Sequence, residues 1–144
     1  MTQAAIQAAI PHRPPFLLID EIIEQSEKRI VCRKTFRAEE FWYPGHYPGQ
    51  PITPGVILCE AAMQTGAVLL ASVIAEDGGV PVVTRLSDAR FKRIVVPGET
   101  IEIEATLDDQ VSKAFFLSAK VAVEGQLAVR LKFTCAMLAR TIDS

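Results

Sequence analysis

The chain has 144 residues, 49% of them hydrophobic and 22% charged, with a formal net charge of −2. That length suits one domain over residues 1–144 with a real core, and so mild a charge excludes the global basicity that nucleic-acid binding requires. Three cysteines, Cys32, Cys59 and Cys135, make neither a CxxC pair nor a cluster with histidine, which argues against a disulfide framework and a zinc site and marks them as reduced structural thiols.

Residues 1–10 carry no basic segment ahead of an apolar one, so no secretory signal is expected and the cytoplasm is the default location. Residues 2–9, rich in Ala and Gln, predict a short helix ending before Pro11. His12-Arg13-Pro14-Pro15 then reads as a rigid extended entry in which His12 has a surface or capping role rather than a catalytic one. Residues 16–24 and 29–38 are rich in strand formers and flank a turn at Ser26-Glu27-Lys28, which predicts a hairpin. Phe41-Trp42-Tyr43 follow, and three aromatics in a row either fill a core or wall an apolar pocket.

The stretch 45–75 is the most informative. Three prolines and three glycines within residues 45–55 fix the backbone and hold His46 in a stiff loop. Thr53 is the expected N-cap of the helix that follows and Pro54 its first residue, which leaves the amides of Gly55 and Val56 unpaired. From Val56 to Ala75 the polar side chains are Glu60, Gln64, Thr65 and Ser72, too few for a polar stripe, so the helix is expected to be buried nearly all round. A membrane span has the same composition. Glu60 and Gln64 inside the run, and no flanking cluster of Lys or Arg, favour instead a helix wrapped by a sheet. Glu60 is then either half of a structural Glu–Gln pair with Gln64, one turn on, or a general acid kept protonated and close to His46 in space.

Glycine at the end of the 76–79 segment predicts the helix stop. Residues 82–93, 101–104, 115–123 and 127–138 then read as strands, with turns at Pro97-Gly98 and Glu124-Gly125-Gln126. The result is an α+β class protein, an antiparallel sheet with one face against a helix. One sheet around one helix leaves an edge that a second copy would cover.

GHYPGQPITPGV at 45–56 followed by EAAMQ at 60–64 resembles the active-site signature of the hotdog-fold 3-hydroxyacyl-[acyl-carrier-protein] dehydratases of the FabZ and FabA type. IPHRPPFLLIDEI at 10–22 resembles the family's opening, and ARFKRIVVPGETIEIEATL at 89–107 its middle strands. The resemblance implies dehydration of a 3-hydroxyacyl thioester, with His46 as general base, Glu60 as general acid, the amides of Gly55 and Val56 meeting the developing oxyanion, and Gln64 supporting the acid. It implies no metal or organic cofactor. It also implies a homodimer whose histidine and acid come from different subunits, with a trimer of dimers open, and an acidic acyl carrier protein as partner, presenting substrate on phosphopantetheine. Arg90, Lys92 and Arg93, the densest basic group, serve as carrier-docking residues or equally as a solvated strand face. The chain departs from the family at Pro14, where an aromatic is usual, at Tyr47, where phenylalanine is usual, and at Gln50, where a basic residue is common. A hotdog enoyl-CoA hydratase, an acyl thioesterase and a non-catalytic acyl-binding module are the alternatives on the same scaffold.

Overall fold

In the computed structural model, residues 2–73 and 79–138 are described. The chain runs through α1 (Gln3–Ala9), β1 (Glu21–Gln25), β2 (Arg29–Thr35), a 3-10 turn at Tyr43–Gly45, α2 (Gly55–Val73), β3 (Val80–Phe91), β4 (Thr100–Val111), β5 (Ala114–Val123) and β6 (Gln126–Leu138). The six strands form one sheet in the order β1-β2-β4-β5-β6-β3, and every neighbouring pair is antiparallel. The α+β arrangement expected from the sequence is the one observed, with the long helix against one face.

Side-chain alternation decides which face. On β4, Ile101, Ile103, Ala105 and Leu107 are buried while Glu102, Glu104 and Thr106 turn outward; β5 buries Phe115, Leu117, Ala119, Val121 and Val123 in the same rhythm. A strand's period of two puts each of these sets on a single side. α2 buries twelve of its 19 residues against that side. By length and hydropathy, 1.7 on average, α2 could cross a membrane, but 67% of it lies inside the protein, which is what a core helix looks like.

Several boundaries differ from the expectation, each for a local reason. The first strand starts at Glu21 rather than Phe16. Just before it, side chains take the backbone groups that a ladder would have used: the Leu18 amide donates to Gln64 Oε1, and the Ile19 carbonyl accepts from Gln3 Nε2. β2 ends at Thr35, and the next residue, Phe36, still donates to the Glu99 carbonyl and accepts from the Gly98 amide at the turn before β4. β4 runs on to Val111, beyond the clean alternation at 101–104. Thr53 does not cap α2, since its hydroxyl is engaged by the Tyr43 hydroxyl at 2.6 Å. The Pro54 carbonyl instead accepts the first helical bond, from Leu58 at 3.4 Å, which shifts the start by one residue. The expected stop at 76–79 falls largely outside the described residues. Glu124 and Gly125, with φ of 49° and 81°, form the two-residue hairpin turn before β6, a conformation in which glycine removes the Cβ penalty.

All three cysteines are free and buried. Burial pushes the Cys32 thiol up to about 12 and that of Cys135 up to about 11, and raises Cys59, so none carries an appreciable thiolate near neutrality.

Helix and sheet approach closely at Gly66. A Cβ there would lie 2.7 Å from the Phe133 ring and 3.1 Å from Leu117, both essentially buried and without room to retreat. Overpacking of this kind costs about 1–3 kcal/mol, against about 0.5–1 kcal/mol gained by replacing glycine within a helix. Gly66→Ala is therefore expected to lower unfolding stability by about 1–2 kcal/mol in a urea titration, where the helix effect alone would raise it.

Candidate active site

The loop before α2 is tied down by its own backbone. The His46 amide donates to the Tyr43 carbonyl at 3.1 Å, the Ile52 amide to the His46 carbonyl at 2.9 Å, and the Thr53 amide to the Val95 carbonyl at 2.8 Å. Trp42 and Tyr43 are buried, and Trp42 meets Phe36 edge to face. Two of the three aromatics thus fill the core, while Phe41 is 54% exposed.

His46 is half-buried, its ring stacked on Tyr47 at 4.7 Å. Its Nδ1 lies 3.0 Å from the Ile52 carbonyl. A carbonyl can only accept, so Nδ1 carries a hydrogen, and in the neutral imidazole the lone pair is on Nε2.

Glu60 lies one turn into α2 and, contrary to the expectation of a helix buried all round, its side chain is 25% exposed in the single chain. Gln64 Nε2 donates to Glu60 Oε2 at 3.0 Å, so the expected Glu–Gln pair exists. Gln64 is 1% exposed and also binds the backbone of the segment leading to β1, accepting from the Leu18 amide and donating to the Phe16 carbonyl, both at 2.8 Å. Among the described residues no hydrogen bond or ion pair joins Glu60 to His46. The histidine beside Glu60 is His12, with Nε2 3.7 Å from Oε2. His12 thus stands against the helix carboxyl, in place of the surface or capping role expected for it. Nothing in local spacing links His12 to Glu60, because the contact is made by the packing of the entry segment on α2.

At the start of α2 the amides of Gly55 and Val56 have no hydrogen-bond partner among the described residues, and they stand at the positive end of the helix. The Phe91 ring lies so close to Gly55 that a Cβ there would be 2.7 Å from it. No group of three or more His, Cys, Asp or Glu comes together to hold a metal ion among the described residues.

The three basic residues near the end of β3 separate. Arg93 holds Glu99 with both guanidinium nitrogens, at 3.0 and 2.8 Å, and also reaches Gln126 and the Ile94 carbonyl. It is a structural cation. Arg90 and Lys92 remain exposed. Arg90 lies opposite Arg130 on β6, which lies opposite Lys120 on β5. These three cations border a groove of about 810 Å³ on the outer face of the sheet, on the side away from His46 and Glu60.

A histidine, a carboxyl on the central helix and open amides at that helix's start, on a sheet wrapped round one helix, are what the described residues offer, and they set the class as an α+β protein with titratable groups beside its core helix. Comparison with known proteins gives that class its family. Residues 22–132 match the ApeI-like family, described as ApeI dehydratase. The chain is 41% identical over 131 residues to the 3-hydroxyacyl-[acyl-carrier-protein] dehydratase FabZ of Desulforamulus reducens, covering 85% of this chain and 92% of the relative. It is 38% identical over 130 residues to the FabZ of Moorella thermoacetica, covering 85% and 91%. Among solved structures, the dehydratase heterocomplex ApeI:P from Xenorhabdus doucetiae superposes with a TM-score of 0.80 at 18% identity, covering 94% of this chain and 92% of that one. The PaaI protein of E. coli, from the phenylacetic acid degradation operon, superposes with a TM-score of 0.66 at 17% identity, covering 81% of each chain. This chain belongs to the hotdog-fold dehydratases of the FabZ and ApeI-like type.

The Arg93 guanidinium holds the Glu99 carboxyl below its ordinary range. A carboxyl lowered in this way contributes stability above its unfolded value, near 4.3, and loses it as pH falls through the folded one. Arg93→Ala is expected to melt below the unaltered protein at pH 7, with the gap closing as pH drops below about 4. A constant gap across that range, followed by thermal melts, would rule out the ion pair as its source.

Proposed function

We propose that this protein dehydrates (3R)-3-hydroxyacyl-[acyl-carrier-protein] to the trans-2-enoyl thioester in fatty acid biosynthesis. The likeness to FabZ enzymes over nearly the whole chain supports the reaction. The observation that carries the residue assignment is the His46 bond to Ile52, which puts the lone pair of the neutral imidazole on Nε2.

In this reading His46 Nε2 removes a proton from C2, and the electrons run into the thioester carbonyl to form an enolate. The free amides of Gly55 and Val56 stabilise the oxyanion. The enolate collapses to the C2–C3 double bond as Glu60 gives its proton to the departing C3 hydroxyl, which leaves as water. Gln64 fixes the acid's orientation. Every proton is handled by a side chain, so the chemistry asks for no metal or organic cofactor.

The protein acts as a homodimer in the cytoplasm, with His46 of one subunit facing Glu60 of the other. The edge strand β3 supports the pairing. Val83 and Leu86 stand opposite the buried Cys135 and Phe133, so they extend the helix-facing layer of the sheet, yet they are 42% and 47% exposed. That layer is unfinished at β3, and a second β3 laid against it would complete both. An acidic carrier, delivering its substrate on a phosphopantetheine arm, would then find Arg90 and Lys92 near the end of that strand, Arg93 being already committed to Glu99. Dimers stacking further into a trimer of dimers would leave this chemistry unchanged.

Hydration of crotonyl and longer enoyl thioesters, on carrier protein and on coenzyme A, tests the reaction and separates it from its alternatives. A preference for the carrier-bound substrate is expected. Preference for coenzyme A would make the protein a hydratase, thioester hydrolysis a thioesterase, and binding without turnover a carrier module. His46→Ala and Glu60→Gln should each lower kcat by about 10²–10⁴-fold with the fold retained, and losses below about tenfold would count against these roles.

Subunit mixing tests the shared site. A mixed dimer of His46→Ala and Glu60→Ala chains holds one doubly damaged site and one intact site. Random reassortment makes about half the dimers mixed, so about a quarter of all sites should recover. Dead mixtures after confirmed subunit exchange would place both residues of each site in one chain.

A further inference from the structure

We infer that His12 is a positioning residue for the acid Glu60, directing the acid's proton to the oxygen that meets substrate; this rests on the dehydratase reading above. Four observations carry it.

First, the segment carrying His12 is held from both sides. Arg13 donates to the His12 carbonyl at 2.6 Å while also binding the Ile10 carbonyl at 2.8 Å and the Gln7 carbonyl at 2.9 Å, at the end of α1. On the other side, Gln64 clamps the backbone at Phe16 and Leu18 to α2. The short segment between these clamps has little freedom left, and it presents the imidazole to Glu60.

Second, the two ring nitrogens differ. Nδ1 is buried with no hydrogen-bond partner, whereas Nε2 faces Glu60 Oε2 at 3.7 Å. An orphaned buried N–H is rarer and costlier than an under-used acceptor. Neutral His12 therefore carries its proton on Nε2 and aims a donor at the carboxyl.

Third, both donors that approach Glu60 converge on the same atom. Gln64 Nε2 reaches Oε2 at 3.0 Å, and His12 Nε2 approaches Oε2 as well. An oxygen facing two N–H groups is the carbonyl oxygen of a protonated carboxyl, because a hydroxyl hydrogen there would meet another hydrogen. The acid proton is thereby sent to Oε1, for which the described residues offer no hydrogen-bond partner. Oε1 is the oxygen free to protonate a leaving hydroxyl.

Fourth, the distance of 3.7 Å is just beyond a hydrogen bond, and contacts in catalytic sites are often long until substrate draws them in. After Glu60 has given up its proton, the same two donors face a carboxylate and hold it in place for the next cycle.

Three variants test this. His12→Leu removes the donor at similar bulk. His12→Gln carries an amide nitrogen where Nε2 stood, and His12→Asn carries one where Nδ1 stood, one bond too short to reach Glu60. The expected result is a fall in kcat of about tenfold for the Leu and Asn variants, with KM within about twofold, and recovery of most of kcat by Gln, all three melting alike. Should the Leu variant not fold, the contrast between Gln and Asn decides alone, since both are neutral amides. Overturning results are a kcat for the Asn or Leu variant within twofold of the unaltered protein, or a Gln variant no better than Asn. If the unaltered protein turns over none of the thioesters, the dehydratase reading fails, and the contact is then read by infrared spectroscopy. The carboxyl stretch of Glu60, assigned through Glu60→Gln, should move in His12→Leu and His12→Asn but not in His12→Gln, and an unmoved band would overturn the inference.

Discussion

The side-chain amide of Gln64 is the contact on which the rest of the arrangement depends. It is 1% exposed and uses its oxygen and both of its N–H groups, accepting from Leu18 and donating to the Phe16 carbonyl and to Glu60. A buried amide costs free energy unless it is satisfied in this way. Here satisfaction has a geometric consequence. The three bonds join the core helix, the entry segment and the carboxyl into one unit, so the acid's orientation is set by the same contact that seals the N-terminal segment over α2. Any apolar replacement of Gln64 would strand the Leu18 N–H and the Phe16 carbonyl as well as Glu60, which ties the stability of that corner to the chemistry of the site.

How far the fold could be read in advance follows from where each backbone group finds its partner. β4, β5 and β6 were legible because one face is buried and the other wet, and alternation records that difference directly in Ile101, Ile103, Leu117 and Phe133. α2 was legible for the opposite reason, its apolar residues facing in nearly all directions. The segment 16–20 was misread as strand because its strand-forming residues satisfy their backbone through Gln64 and Gln3, which no local pattern reveals. Thr53 was misread as a cap because a hydroxyl suited to capping was taken by Tyr43. In both cases a long-range side-chain contact overrode a correct local preference.

The candidate site divides along the same line. His46, Gly55, Glu60 and Gln64 fall within one short stretch of chain, so a motif could mark them, and the Glu60–Gln64 pair follows from the helical repeat. His12 meets Glu60 only because the entry segment folds back across α2, and although it lies in the stretch that resembles the family's opening, its distance along the chain from Glu60 gave no sign of the contact. Arg93 shows the reverse case. Beside Arg90 and Lys92 it read as a docking cation or equally as part of a solvated strand face, but it is paired with Glu99, just across the turn at Pro97-Gly98.

One geometric link bears on why such a site would be shared between subunits at all. Phe91 closes β3 and also lies against Gly55, where the open amides of α2 begin. The strand whose inner layer is unfinished is thus in contact with the very backbone proposed to meet the oxyanion. On the proposed reading, pairing of two β3 edges would bury Val83 and Leu86 beside the same strand that carries Phe91 to the helix start, as it brings the second subunit's residues into reach. In a single chain His46 is bound to Ile52 and Glu60 to Gln64, and among the described residues no hydrogen bond or ion pair joins the two. Dimerisation would then be a condition of catalysis rather than an addition to it, because the surface that completes the core and the surface that completes the site share one strand.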